Sequence, residues 1–189
     1  MALKEIIVDA DFCIKVGASA KYRYLEKLLP ILASKTHIHR MTYNEVLTPR
    51  CAKEQLDALI GQRLLGVLDE NSLNPMEKTV YHGVYQSLAR IMMNPSHPSK
   101  NQGETCTLAM AKTKSIPFFV TDEKDLQPII DKNLNTGIDD IVCVRIEDVV
   151  RKFESGELNG FTRKETKLLW RLSGKDSSTF DKHIWPIRE

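Results

Sequence analysis

The stretch IIVDAD, residues 6–11, constrains this chain more than any other. Ile6, Ile7 and Val8 form an unbroken run of branched aliphatics, the pattern of a strand buried on both faces. Such a strand belongs in a parallel sheet covered by helices on either side. It runs directly into Asp9 and then, one residue on, Asp11. A carboxylate at the end of a buried strand is costly unless something offsets its charge.

A second strand repeats the pattern. Pro117-Phe118-Phe119-Val120-Thr121 is largely apolar and leads into Asp122, Glu123 and Asp125. Residues 37–40 and 141–144 read as further short strands. Helical stretches lie between them. Residues 20–34 form one, with Pro30 expected to bend or break it. Others are predicted over 50–66, 104–114, 124–134 (interrupted at Pro128) and 146–153. Asn74-Pro75-Met76-Glu77 combines a capping Asn, a first-turn Pro and a first-turn acid, so a helix starts there. Its Met76, Val80, Val84, Leu88 and Ile91 recur at near-helical spacing and predict its buried face. Thr42-Tyr43-Asn44-Glu45 and Thr162-Arg163-Lys164-Glu165 both have the form of a capping box, each predicting a helix start. The second of these helices is amphipathic through Leu168, Leu169 and Leu172. Residues 94–103, NPSHPSKNQG, are a loop by composition. Strands alternating with helices predict an α/β fold with a parallel sheet.

The totals narrow the possibilities. A chain of 189 residues suffices for one domain with a real core. A net charge of +2 carries no bulk basic signature, so any nucleic-acid surface would be local. Cys13, Cys51, Cys106 and Cys143 form no CxxC pattern, which favours reduced thiols and a cytoplasmic setting over disulfides or zinc. No apolar run approaches the roughly 20 residues that span a bilayer. The start does not read as a signal peptide, because Lys4 and Glu5 are followed by a short apolar run and an acid. No membrane association is expected. His37, His39, His82, His97 and His183 stand at no metal-ligand spacing and read as surface or packing residues. Tyr81 and Tyr85, one helical turn apart, are expected in the core, with base stacking the alternative.

In open parallel sheets, ligands bind beyond the carboxyl ends of the strands. Asp9, Asp11, Asp122 and Glu123 all fall at that edge, and two predicted helix starts add Glu45 and Glu104. Carboxylates converging in one cleft either retain protons or require a cation. Oxygen ligands without a His or Cys pattern point to a hard divalent ion, Mg²⁺ or Mn²⁺. Such an ion activates water and stabilises charge on a phosphate under attack. Each acid also has a purely structural explanation. Glu45 could be the partner of Thr42 in a capping box. Glu104 could be a first-turn acid favoured by the helix dipole. Asp122 and Glu123 could cap the next helix, Asp11 could sit in an Asx-turn, and Asp125 reads as a solvated acid.

Taken together, these segments resemble the PIN domain, a family of metal-dependent nucleases. The resemblance rests on IIVDAD, with Asp9 and Asp11; on YNEVL, with Glu45; on NQGETCTLAMAKTK, with Glu104; and on FFVTDEKDL, where Asp122 and Glu123 are both candidates for the last acid. It spans roughly residues 5–150. Asp11 stands where the family usually has Ser, Thr or Asn. The resemblance implies a three-layer α/β/α sandwich with a central parallel sheet, and hydrolysis of single-stranded RNA by a water activated by Mg²⁺ or Mn²⁺. It further implies that Asp9, Glu45 and Glu104 are core ligands, that Asp11 and Asp122 or Glu123 complete the set, and that Thr121 orients a carboxylate. Arg40, Lys112 and Lys114 are candidates for phosphate contact. A toxin–antitoxin-like protein partner and a homodimer are the expected assemblies.

Residues 1–155 are expected to form the nuclease-like core, and 156–189 a helical extension packed on it. Two rival functions stay open. One is a haloacid-dehalogenase-type phosphatase, with Asp9 as nucleophile and Asp11 as general acid-base. The other is a catalytically idle module of the same fold, with Trp170 and the aromatic tail as its interface.

Overall fold

The computed structural model describes residues 2–94, 96–97 and 100–186. Pro95, Pro98 and Ser99 of the predicted 94–103 loop, and the end of the tail, lie outside the described residues. Among the described residues five strands form one parallel sheet: β1 (Leu3–Val8), β2 (Ala33–His39), β3 (Gly66–Leu68), β4 (Phe118–Val120) and β5 (Val142–Val144). Their order is β3-β2-β1-β4-β5. β1 is therefore central, and Ile6, Ile7 and Val8 are wholly buried. Ile6 and Val8 face one core, Ile7 the other.

The first core is closed by α1 (Ala10–Gly17), α2 (Tyr24–Leu32) and α4 (Arg50–Gly61), reached past the short α3 (Arg40–Glu45). The second is closed by α5 (Pro75–Met92), α6 (Gln102–Thr113) and α7 (Leu126–Asn133). α8 (Ile146–Glu154) and α9 (Arg163–Leu172) return to the first. The result is three layers, α/β/α, as expected. After α9, the helical segments Ser177–Thr179 and Phe180–Ile184 place Phe180 and Ile184 in the same core. Among the described residues no helix is long and apolar enough to cross a membrane.

Several local expectations require correction. Thr42 and Glu45 do not cap a helix: α3 begins at Arg40, capped by the His39 side chain, and Glu45 is its last residue. The backbone turns helical sooner because His39 Nδ1 accepts from the Met41 amide at 3.1 Å. The predicted 50–66 helix ends at Gly61, and Gly66 opens β3, a strand too short to show a periodic signature. Arg40 belongs to α3, not to the strand before it. Pro30 lies inside α2 without ending it. Pro128 lies in the first turn of α7, where its missing N–H costs no helical bond.

α5 is capped by Asn74 in a complete capping box, but the face it buries overlaps the predicted one only at Leu88 and, in part, Val84. Tyr81, Leu88 and Met92 are buried, whereas Met76, Val80 and Ile91 are exposed. The helix is apolar over more than one stripe, so periodicity alone could not choose which stripe meets the sheet.

Candidate functional site

The sheet order places β1 beside β4, although most of the chain runs between them. This is where the direction of winding reverses, the position at which open parallel sheets leave a crevice outside their strand ends. Val8 pairs with Val120, so the two strands end level. The Asp9 amide donates to the Val120 carbonyl oxygen at 2.9 Å, and the Thr121 amide to that of Val144 at 3.1 Å. Asp9 and Thr121 thus stand side by side at the crevice.

Asp9 is 1% exposed. Its carboxylate caps α1 by accepting from the Ala10 amide at 2.7 Å, and it accepts from the Thr121 hydroxyl at 3.2 Å. Both bonds favour the ionised form, yet burial and the Glu104 carboxylate outweigh them and push Asp9 up to about 8. The same Thr121 hydroxyl accepts from the Glu123 amide at 3.1 Å, tying the end of β4 to Asp9. Thr121 is wholly buried and occupied in these bonds, which hold the Asp9 carboxylate in place.

α6 brings the next acids. Thr42 of α3 meets Thr107 of α6 hydroxyl to hydroxyl at 2.6 Å, and both lie over the Gly103 carbonyl. This close crossing lays the Glu45 carboxylate against Gly103. A Cβ at that position would stand 2.0 Å from Glu45 Oε2, so a side chain there would displace the Glu45 carboxylate from this position. Burial and Glu104 raise Glu45, while the Gly103 amide lowers it by a smaller amount. Glu104, in the first turn of α6, is itself raised by burial and, to a lesser degree, by Glu123 and Asp11. Glu104 is therefore the hub: Asp9, Asp11, Glu45 and Glu123 all act on it or feel it electrostatically.

The structure separates Asp122 from Glu123. Asp122 is held by lysines: Lys15 Nζ lies 3.0 Å from one carboxylate oxygen and Lys175 Nζ 3.7 Å from the other. Lys15 also lies 2.6 Å from Asp11. Glu123 instead joins Glu104 in lining a pocket of about 380 Å³. Ile91, Leu126 and Ile129 supply the apolar part of its wall, and Lys100 a positive charge.

The basic candidates have partners of their own. Arg40 pairs with Asp69 at 3.6 Å and lies over the Tyr43 ring. Lys112 donates to the carbonyl oxygens of Ile138 and Asp139, at 2.8 and 3.1 Å. Lys114 pairs with Glu77 at 2.8 Å. Lys112 and Lys114 fall at the far end of α6, roughly 12–15 Å from Glu104 along the helix. Tyr81 is buried, stacked between His39 and Tyr85, and unavailable to a base.

Sequence reasoning missed two residues of the site. Lys15 was visible as the i+4 partner of Asp11 on a helix. Lys175 had no local signal, because only the packing of α9 carries it to Asp122.

The donor set suits a hard divalent cation: all oxygen, with Asp9, Glu45 and Glu104 each shifted toward the protonated form by burial and neighbouring charge. Among the described residues, however, no three His, Cys, Asp or Glu side chains are grouped as a ready metal-holding set. The acids share a crevice without closing on one point.

No protein-family model matches this chain, and no curated protein does. Among solved structures the chain is similar to the crystal structure of VapBC2 from Rickettsia felis bound to a DNA fragment from their promoter. The two share 12% identity over 75% of this chain and 98% of the other, with a TM-score of 0.44. That likeness is too distant to transfer an activity.

Proposed function

We propose that this chain is a PIN-like, metal-dependent endonuclease that cleaves single-stranded RNA. The observation that supports the reading is the electrostatic coupling of Glu104 with Asp9, Asp11, Glu45 and Glu123 beside the ends of β1 and β4. Buried or half-buried carboxylates such as Asp9, Glu45 and Glu104, each pushed toward its protonated form, are a poor arrangement for an idle surface and a good one for a cation. Asp9, Glu45 and Glu104 would hold a Mg²⁺ or Mn²⁺ ion, with Glu123 at the pocket side. When bound, such an ion supplies an activated water and offsets charge at the phosphate. Thr121 fixes the Asp9 carboxylate, and Gly103 leaves room for that of Glu45.

The phosphatase reading has less support. It requires Asp9 to attack phosphorus, but both Asp9 oxygens already accept hydrogen bonds at the floor of the crevice. A small cation reaches such a group more readily than a phosphate ester does.

The test is cleavage of a labelled single-stranded RNA with Mn²⁺. Asp9→Asn and Glu104→Gln are expected to fall to the uncatalysed background while circular dichroism shows an unchanged fold. Variants as fast as the parent would remove these residues from the chemistry. Covalent phosphate trapped on Asp9 would favour the phosphatase.

A further inference from the structure

α5 carries an apolar face that the fold leaves uncovered. Its Tyr81, Leu88 and Met92 meet the second core. Away from that core, Met76, Val80 and Ile91 are 79, 45 and 51% exposed. Met76, Val80, Gly83, Ser87 and Arg90 follow one another at alternating spacings of four and three residues, and all five are exposed. That is the seam by which one helix lies along another. Gly83 indicates what covers it. A glycine inside a helix disfavours the helix relative to alanine. Nothing in this chain requires one there: a Cβ at Gly83 would meet no atom within 4 Å. At Gly17, by contrast, a Cβ would stand 2.6 Å from that of Ala52.

The seam is complementary to itself when a second copy is turned end for end. About a two-fold axis passing between Gly83 and Val84, Met76 opposes Ile91 and Val80 opposes Ser87. Gly83 then stands at the crossing, where the missing side chain lets two backbones approach. The bulkier Met76 and Ile91 lie toward the ends, where crossing helices diverge. The charges match as well. The same operation sets Glu77 opposite Arg90. Glu77 holds Lys114 in its own chain, whereas Arg90 is exposed and has no acidic partner among the described residues. A face that answers itself under a two-fold is the property of an isologous contact, and an unrelated partner would not require it. We propose that the exposed face of α5 is a homodimer interface, an antiparallel helix pair that crosses at Gly83. The inference stands on α5 and does not depend on the nuclease reading. The helix has 18 residues, about 27 Å, so the contact is small and the dimer comes apart on dilution. Ile91 also lines the pocket beside Glu104 and Glu123, so pairing brings a second chain to the rim of that pocket.

The test is sedimentation equilibrium of the full chain over a concentration series in reducing buffer. The parent is expected to pass from monomer to dimer as concentration rises. Val80→Glu sets a carboxylate in the seam and is expected to raise the dimer dissociation constant at least about tenfold, with an unchanged circular dichroism spectrum. Gly83→Cys places a thiol at the crossing, and mild oxidation is expected to link two chains through it. Ile138→Cys, exposed away from α5, is the control and is expected to link far more slowly. A parent that stays monomeric throughout, a Val80→Glu dimer as tight as the parent's, or Gly83→Cys linking no faster than Ile138→Cys would each overturn the proposal. Should Val80→Glu fail to fold, Met76→Lys is read in its place, with the same two outcomes.

Discussion

Asp9 shows why a buried strand can end in an acid. Its ordinary value of 3.8 is raised to about 8, chiefly by burial and then by Glu104. The native state therefore binds a proton that the unfolded chain has released between those two values. The associated stability is fully present below about pH 4 and is lost as the pH rises through about 8 in the metal-free protein. Asp9→Asn removes that titration. In chelator it is expected to melt several degrees above the parent at pH 8, with the gap shrinking steadily toward pH 4. Thermal melts at the two values measure this, and a gap no larger at pH 8 would count against Asp9 as the source. The acid itself was plain in IIVDAD, but its burial was legible only in part. Ile6–Val8 showed that the strand is covered, whereas the Thr121 hydroxyl and the Glu104 charge arrive from segments over ninety positions away.

α9 illustrates the same division at the level of a helix. Its start was readable, since Thr162 and Glu165 form the capping box that their spacing implied. Its role depended on what it meets. Trp170 is 3% exposed, packs on Phe180, and donates its indole N–H to the Asp176 carbonyl oxygen at 2.8 Å. Trp170→Ala is expected to cost about 3–5 kcal/mol in denaturant unfolding, the range for an aromatic removed from a core. A loss under about 1 kcal/mol, typical of a surface site, would mean the helix does not pack as seen. Because Lys175 follows on the same segment, the variant is also expected to weaken the hold on Asp122. α5 is the contrary case. Its capping box is as read, but only part of the named face is buried, Leu88 and in part Val84, because a helix end is encoded by neighbouring residues while a buried face is chosen by the sheet it lies on.

Among the described residues, 156–186 and the preceding core pack as one unit. Leu158, Phe161, Leu169, Trp170, Phe180 and Ile184 all enter the core that covers one face of the sheet. Burying each is worth roughly 1.5–3 kcal/mol, so together they rival the total stability of a domain, roughly 5–15 kcal/mol. A chain ending at Ser155 is therefore expected to lose cooperative unfolding. Its calorimetric melt should broaden or vanish, and a sharp melt like the parent's would show the extension to be dispensable. What the sequence by itself determined is local: the buried strands, most helix starts, and the acids at the strand ends, all encoded in runs of neighbouring residues. What only the tertiary structure decided is which of those acids meet. Strand order brings β4 beside β1, the Thr42–Thr107 crossing carries Glu45 to Gly103, and two lysines draw Asp122 away while Glu123 stays with Glu104. The physical reason is that charge acts through space. Its partners are set by how the layers pack, and packing depends on contacts that no short stretch of chain contains.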